Sequence, residues 1–306
     1  MEVDRSSLSS ITHFELSDCK LSYWKEVFAI MACNDDWQVA GRRAARRGKQ
    51  PSNPKLDSHQ VADCKPDKQK ILNAMNELRG ENFWMEWKDL LSERLHSNAS
   101  GSSEQNGDVS LQLCVCYGLG HFASCVSARY QLAMLLLLLE TLQIPVGSCC
   151  VYDPVFSASE CDVLKELGFT VLTENEEGKR AVYQPTLFYL MHCGKALYNN
   201  LLWRNWTPQT LPKMIIIGNS FYGIQERMLQ REFDRDYSFL SNVISVCDET
   251  SLPCSPRFLD VFNDTALIQF PPENLNKLPE CMWIEPSEPL YQHCQDLEII
   301  QREKKS

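Results

Sequence analysis

Residues 111–123, LQLCVCYGLGHFA, decide the fold of this 306-residue chain. Seven mostly apolar residues lead into a stretch from Gly118 to Ala123 that fits the pattern G-x-G-x-x-G/A, found between a strand and a helix. Glycine at 118 permits a tight turn, and glycine at 120 lets a ligand approach the backbone. A long helical pattern follows from Ala123 to Leu142. The stretch therefore predicts the first strand, turn and helix of a nucleotide-binding α/β fold.

Short apolar runs alternate with helical patterns along the rest of the chain. Ser157 and Glu160 have the spacing of a capping box, Gly168 is placed to end the helix that the box begins, and another helix is predicted over 223–233. This alternation predicts a Rossmann-like, doubly wound α/β sheet of about seven strands, mostly parallel and covered on both faces. The six strands expected after the first lie at 148–152, 170–172, 186–191, 213–217, 243–246 and 266–270.

The chain before residue 109 has a different character. Residues 67–96 repeat apolar side chains, among them Trp84 and Trp87, at the i, i+3, i+4 spacing of amphipathic helices, which predicts a helical N-terminal extension. Residues 97–108, SNASGSSEQNGD, have the composition of a flexible linker. The predicted pieces are a largely mobile region 1–66 with a basic segment 42–49, helices 67–96, linker 97–108, the Rossmann-type domain 109–290 and a polar C-terminal tail 291–306.

Composition excludes several classes of protein. With 44% hydrophobic and 23% charged residues, the chain is neither wholly disordered nor a fibrous rod. It has 30 basic and 40 acidic residues, yet four arginines and a lysine fall within residues 42–49. We therefore expect no nucleic-acid binding except through that basic segment, which is a nuclear localisation signal or a solvated basic tail.

The compartment is predicted from what the chain lacks. The first 30 residues lack the positively charged region and the following apolar region that make up a signal peptide. The longest apolar run, Leu132 to Leu139, is shorter than the roughly 18–20 residues of a membrane span. We expect no membrane partner and a cytoplasmic and nuclear location. The 14 cysteines contain no Cys-x-x-Cys pair, so we interpret them as reduced core thiols and predict no metal site.

Polar residues follow the predicted strands at the edge where such sheets bind ligands. Asp153 is a candidate acceptor for ribose hydroxyls, or a turn residue before Pro154. Asn219 and Ser220 offer hydrogen bonds to a ligand, or cap the next helix. This polar crevice suits an adenosyl or nucleotide-like ligand. The alternative is that the glycine turn is a tight βα turn that binds nothing. We expect one face of the helix that carries Asn199 and Asn200 to look into the same crevice. The candidate ligand-binding residues are Gly118, Gly120, His121, Asp153, Asn219 and Ser220.

His192, after the fourth predicted strand, is the candidate catalytic residue, as an acid or base, although a strand-end histidine is more often structural. No nucleophile motif accompanies it: the chain contains no G-x-S-x-G, no P-loop lysine and no H-E-x-x-H. From these residues alone, a regulatory protein and an enzyme of the same fold both stay open.

Several motifs together are similar to one family. They are Tyr117-Gly-Leu-Gly-His-Phe, Ala128-Arg-Tyr-Gln-Leu-Ala, Asp153-Pro-Val-Phe, the run from Leu187 to Trp203, Ile217-Gly-Asn-Ser-Phe and Phe262-Asn-Asp-Thr-Ala. Over about residues 109–272 the chain resembles the SRR-like family, named after the plant trait "sensitivity to red light reduced", and in particular its animal members. The match departs from the family where Met191 stands before His192, at a position where relatives carry proline.

The resemblance implies a role and no catalytic residues. It implies a regulator of haem biosynthesis and of circadian core clock gene expression that works through protein partners, and we expect such a regulator more than an enzyme. The alternative is an S-adenosylmethionine-dependent methyltransferase, because a seven-stranded sheet, a glycine turn and an acid after strand two suit that cofactor. This alternative rests on fold analogy.

Overall fold

The computed structural model describes residues 66–96, 111–284, 287–292, 294 and 297–301. The predictions for the mobile region and its basic segment 42–49, and for the linker 97–108, fall outside the described residues. Within the described part, no helix is long and apolar enough to cross a membrane.

A seven-stranded sheet with the order β3-β2-β1-β4-β5-β7-β6 forms the centre of the described chain. The first five strands run parallel, whereas β7 is antiparallel to its neighbours β5 and β6. The predicted Rossmann-like α/β fold is therefore confirmed. The strands are β1 Leu113–Tyr117, β2 Cys149–Tyr152, β3 Thr170–Val171, β4 Thr186–Leu190, β5 Met214–Asn219, β6 Asp248–Ser251 and β7 Thr265–Gln269.

Helices cover both faces of this sheet, and two of them form the predicted N-terminal extension. Ser157 and Glu160 make the expected capping box at the start of α4, and Gly168 follows its end with a φ of 98°. The helices are α1 Lys68–Arg79, α2 Asn82–His96, α3 Val126–Thr141, α4 Ala158–Glu166, α5 Lys195–Arg204, α6 Phe221–Glu226, α7 Gln230–Asp236, α8 Ser238–Val243, α9 Leu259–Phe262 and α10 Pro272–Leu275.

Two predicted elements are wrong in the second half of the sheet. The predicted strand 243–246 is the end of α8 and a turn, whose apolar side chains are buried beneath the sheet. The sixth strand lies further on, at Asp248–Ser251, and is polar because it is an edge strand that only β7 pairs. The predicted helix 223–233 is two short helices, α6 and α7.

The helical extension is part of the main core. Every residue from Leu132 to Leu139 in α3 is buried, because that helix is enclosed between the sheet and α1. Trp84 and Trp87 of α2 are buried in the same cluster, and the indole N–H of Trp87 donates to the carbonyl of Pro253 at 2.6 Å. Truncating such a tryptophan to alanine typically costs about 3–5 kcal/mol, so the extension stabilises the sheet that carries the candidate site.

Candidate functional site

The carboxyl ends of β1 and β4 lie side by side at the point where the strand order reverses. Ligands of open α/β sheets bind in the crevice beyond such a point. Gly118 and Gly120 follow β1 with φ values of 68° and 75°, in the left-handed region that favours glycine. A Cβ at Gly118 would lie 2.6 Å from Sγ of Cys193, which follows β4, so the absence of a side chain lets these two strand ends approach.

Asp153 accepts a hydrogen bond from one backbone N–H of the glycine turn, that of Gly120. Its Oδ2 accepts a hydrogen bond from the N–H of Gly120 at 2.7 Å, and its Oδ1 accepts from the N–H of Val155 at 3.0 Å. The side chain therefore serves both as a turn residue after β2 and as a link to the turn after β1. A ribose hydroxyl that bound Asp153 would have to share this carboxylate with Gly120.

Glu160 accepts from another backbone N–H of the turn, that of Ala123. Its Oε1 accepts from the N–H of Ala123 at 2.9 Å, while its Oε2 accepts from the N–H and the hydroxyl of Ser157 at 3.0 and 2.9 Å and lies 3.2 Å from Nδ1 of His121. Burial pushes the pKa of Glu160 upward, but these hydrogen bonds outweigh it and lower the pKa below its ordinary value. Glu160 is thus an ionised, buried carboxylate beside the glycine turn.

His121 projects from this turn with 53% of its side chain exposed. The hydrogen bond to Glu160 fixes the orientation of the imidazole. Phe122, the next residue, is buried and packs edge-on against Phe156 with ring centroids 6.0 Å apart. The turn is therefore anchored by an aromatic pair on one side and by two carboxylates on the other.

The helix after the turn begins later than predicted. It starts at Val126, with Cys125 as an N-cap residue that provides no side-chain hydrogen bond. A nucleotide phosphate in a Rossmann fold binds where the glycine turn and the helix N-terminus coincide. Here the turn and the helix N-terminus are separated, and the backbone N–H groups of Gly120 and Ala123 already bind carboxylates.

His192 follows β4 with a φ of 53°, a conformation uncommon for a residue other than glycine. Its Nε2 lies 3.0 Å from the carbonyl of Val261, which accepts the ring proton and also accepts from Nε2 of Gln131 at 3.2 Å. Although part of the residue is exposed, burial lowers the pKa of the imidazole. The structure therefore links His192 to α9 and does not bring it into contact with Asp153 or Glu160.

Asn219, the last residue of β5, and Ser220, which follows it, form a separate group. The hydroxyl of Tyr198 donates to the carbonyl of Leu190 at 2.5 Å, accepts from the N–H of Asn219 at 2.9 Å and lies 3.1 Å from its Oδ1. Ser220 caps α6 by accepting from the N–H of Gly223 at 2.8 Å. Asn219 and Ser220 therefore already hold hydrogen bonds that fix the chain after β5.

Glu249 of β6 completes this second group and was not predicted from the sequence. Its Oε1 accepts from the hydroxyl of Ser220 at 2.5 Å, and its Oε2 accepts from the N–H groups of Phe221 and Tyr222 at 2.8 and 3.3 Å. Burial raises the pKa of Glu249 despite these hydrogen bonds. No local signal could have revealed it, because the contact joins residues nearly thirty positions apart.

Asn199 and Asn200 do not face the crevice as predicted. Both are buried, and Oδ1 of Asn199 accepts from the N–H groups of Phe239 and Leu240 at 3.0 and 3.2 Å. Nδ2 of Asn200 donates to the carbonyl of Glu177 at 2.8 Å. The two amides connect α5 to the loops around it.

A cavity of about 400 Å³ lies elsewhere in the fold. It is lined by Met75, Leu136, Leu139 and residues 143–146. Because α3 runs back along the sheet after β1, these residues lie at the opposite edge from the strand ends described above. The described residues contain no group of three or more His, Cys, Asp or Glu that could hold a metal ion.

Comparison with known proteins identifies the family. The model of the SRR1 domain matches residues 87–269. An SRR1-like protein of Mus musculus is 54% identical over 155 residues, which are 49% of this chain and 62% of the mouse protein. The protein SENSITIVITY TO RED LIGHT REDUCED 1 of Arabidopsis thaliana is 34% identical over 165 residues, 53% of this chain and 58% of the plant protein. The chain thus aligns with about three fifths of the length of these two relatives.

Among solved structures, the chain is similar to the E81Q mutant of MtNAS in complex with S-adenosylmethionine. The identity is 14%, the match covers 66% of this chain and 72% of the other, and the TM-score is 0.31. A likeness at this level carries no argument about the ligand or the reaction of this chain.

Proposed function

This chain belongs to the SRR1 domain family, and from that premise we propose that it is a regulatory protein acting in haem biosynthesis and in circadian core clock gene expression. The SRR1 domain acts by binding protein partners, and its Rossmann-like sheet is the scaffold that carries the binding surface. The name of the plant relative, which refers to sensitivity to red light, supports the circadian part. The resemblance to animal members supports the haem part.

One observation carries the preference for a regulator over a nucleotide-phosphate enzyme. Two of the backbone N–H groups of the glycine turn, those of Gly120 and Ala123, already donate to the carboxylates of Asp153 and Glu160. A phosphate at this turn would meet two negative charges in a partly buried place, where like charges repel strongly. A phosphate that bound these two N–H groups would have to displace both carboxylates, and Glu160 holds four hydrogen bonds in its present place.

A rescue experiment tests the proposed role. Cells depleted of the endogenous protein receive either the wild-type chain or the Gly118→Val variant, which disrupts the junction of β1 and β4. We expect the wild type to restore both the period of a clock-gene luminescence reporter and total cellular haem, and the variant to restore neither. A depleted cell with normal period and normal haem contradicts the proposal.

The proposed location is the cytoplasm and the nucleus, and the basic segment 42–49 directs the nuclear fraction. Replacing Arg42, Arg43, Arg46 and Arg47 with alanine removes four of its five positive charges. We expect the nuclear fraction of a fluorescently tagged chain to fall. An unchanged distribution would assign these residues to a solvated tail.

A second candidate function is that of an S-adenosylmethionine-dependent methyltransferase. The favouring observation is the position of Asp153, a half-buried carboxylate after β2 that lies against Gly120. An acid in this place commonly accepts hydrogen bonds from ribose hydroxyls. S-adenosylmethionine carries a ribose and no phosphate, so it avoids the repulsion that disfavours nucleotides at this turn.

Thermal unfolding with added ligand separates the two candidates. A ligand at 100 times its dissociation constant stabilises the fold by about 2.7 kcal/mol. The regulatory proposal expects no shift with S-adenosylmethionine, S-adenosylhomocysteine, NAD or ATP. A rise in the unfolding temperature with S-adenosylmethionine and S-adenosylhomocysteine supports the methyltransferase. This rise should be abolished by Gly120→Val and kept by the control Gly80→Ala, at the α1–α2 junction.

A further inference from the structure

The end of the described chain lies across α5 as a strap. We use the name C-terminal strap for the described residues 287–292, 294 and 297–301. These residues span the predicted domain end at 290 and lie beyond residue 269, where the match to the SRR1 domain ends. The strap contributes no strand to the sheet. It is therefore an addition that covers the domain from outside.

Tyr291 is the buried anchor of the strap. Its hydroxyl donates to Oδ1 of Asn200 at 2.7 Å and accepts from Nδ2 of Asn199 at 3.1 Å. Its ring packs on Tyr237 with centroids 5.9 Å apart. The amides of α5 thus present one donor and one acceptor that a phenol hydroxyl satisfies together.

Glu298 is the second point of attachment. Its Oε2 lies 3.1 Å from Nζ and 3.4 Å from the backbone N of Lys195, the first residue of α5. A Cβ on Gly194 would lie 2.4 Å from Cβ of Glu298, so only glycine lets the strap approach this closely. The carboxylate is placed where both the helix dipole and a lysine favour a negative charge.

The strap is bound to the surface, not enclosed. Glu298 keeps 51% of its side chain exposed, and Leu290 and Ile300 are also exposed, whereas Tyr291 is the one buried side chain among the described strap residues. Exposed ion pairs of this kind contribute little to stability. The seat on α5 is specific in its chemistry. Beside it, the half-buried side chains of Cys294, Leu297 and Ile299 pack against the core, Glu288 pairs with Lys179 at 2.6 Å, and Asn175 donates to the carbonyl of Ile300 at 2.6 Å.

We propose that the groove along α5 is a docking site for an extended protein segment, and that the C-terminal strap is an autoinhibitory occupant of that groove. The partner segment carries a tyrosine and, seven residues later, an acidic residue, as Tyr291 and Glu298 do in the strap. It binds when the strap is displaced.

The groove itself dictates these two features of the partner. Removal of the strap leaves the buried amides of Asn199 and Asn200 without their hydroxyl, and an unsatisfied buried polar group is costly. It also leaves Lys195 and the first N–H of α5 without their carboxylate. A displacing segment must replace both, and phenylalanine in place of tyrosine would fill the space without satisfying the amides.

A labelled peptide tests the proposal on the full chain. The probe is residues 287–301 of this sequence, and its binding is followed by fluorescence polarisation. We expect the peptide to bind the double variant Tyr291→Ala/Glu298→Ala at least tenfold more tightly than the wild type, in which the strap competes. The control Glu273→Ala, an exposed residue of α10, should bind as the wild type does. The peptide with Tyr→Phe and Glu→Gln should lose at least tenfold in affinity for the double variant.

Several results would overturn the proposal. They are equal affinity for the wild type and the double variant, equal affinity of the two peptides, or dimers of the double variant by light scattering, which would assign the groove to a second copy of the chain. If the double variant fails to fold, hydrogen exchange on the wild type decides. Amides of 297–301 should exchange at least 100-fold faster than those of β4, and equal protection would make the strap an integral layer. The test measures peptide binding alone, so its failure leaves the proposed role in haem and clock regulation standing.

Discussion

Glu160 and Glu249 perform the same task at the ends of two strands, β1 and β5, and their pKa values move in opposite directions. Each carboxylate accepts hydrogen bonds from backbone N–H groups that follow a strand, Ala123 after β1 for one and Phe221 after β5 for the other. The pKa of Glu160 is lowered, whereas that of Glu249 is raised. The difference shows that the position of a carboxylate at a turn does not determine how easily it ionises.

The balance between burial and hydrogen bonding explains the contrast. Burial is the largest influence on both groups and raises both pKa values. Glu160 has Ser157 and His121 as further donors and overcomes it, while Glu249 also lies near the negative charge of Asp264 and does not. At the end of β1 the hydrogen bonds to the carboxylate therefore outweigh the cost of its burial, whereas at the end of β5 they do not.

The largest expected effect comes from closing the space on which the β1 turn depends. Gly118→Ala would place a Cβ 2.6 Å from Sγ of Cys193 at a φ of 68°. A left-handed conformation costs a residue with a side chain roughly 1–2 kcal/mol, and overpacking adds about 1–3 kcal/mol. We expect the free energy of unfolding in urea to fall by about 3 kcal/mol.

Gly120→Ala is the matched control for this prediction. It has a similar φ of 75°, but the nearest atom to its Cβ would be that of Ala128 at 3.9 Å, an ordinary contact. Only the conformational cost of about 1–2 kcal/mol applies. Equal losses for the two variants would mean that the approach of β4 to β1 adds nothing to the turn.

The next largest effect concerns Glu160. Replacing it with glutamine removes an ionised acceptor from Ala123, Ser157 and His121 in a buried place. Hydrogen bonds to charged groups contribute about 1.5–3 kcal/mol, so we expect Glu160→Gln to destabilise the fold by about 2 kcal/mol at pH 7.

The loss should depend on pH in a defined direction. Because the folded pKa of Glu160 lies below the unfolded one, its contribution is complete above the unfolded value near about 4.3 and disappears as pH falls through the folded value. The unfolding curves of wild type and variant should therefore converge in acid. A constant difference from pH 7 to pH 3 would assign the loss to packing and not to charge.

These two turns also show how far the sequence could predict the site. The capping box of Ser157 and Glu160 is a local pattern, and it was predicted correctly. The second role of Glu160, its bond to Ala123, joins distant parts of the chain and has no local signal. The same holds for Glu249, whose strand was missed because apolar periodicity identifies buried strands, whereas β6 is a polar edge strand. The parallel strands β1 to β5 were predicted because each is a short apolar run.

Glu249→Gln should change stability less, and in the opposite sense. Because the folded pKa of Glu249 is raised above the unfolded one, the fold favours the protonated form, and the stability that this preference provides is lost as pH rises through the folded value. Glutamine is neutral at every pH, so we expect the variant to equal or exceed the wild type by up to about 1 kcal/mol at pH 7. At pH 3 the two proteins should unfold at the same urea concentration. A loss comparable to that of Glu160→Gln would show that the turns after β1 and β5 hold equally well-satisfied carboxylates.

The smallest expected effect concerns His192, which follows β4, the strand between β1 and β5. His192→Asn keeps a residue type that tolerates a φ of 53° and removes the hydrogen bond to Val261, so stability at pH 7 should fall by about 1 kcal/mol or less. Because burial lowers the pKa of the imidazole, the unfolded chain binds a proton more readily, and the wild type should lose stability as pH falls below the unfolded value of about 6.5. The variant lacks that titration, so the difference between the two proteins should shrink between pH 7 and pH 5.5. Parallel losses over this range would mean that His192 titrates alike in the folded and unfolded chains, with its imidazole as open to water as in an unfolded peptide.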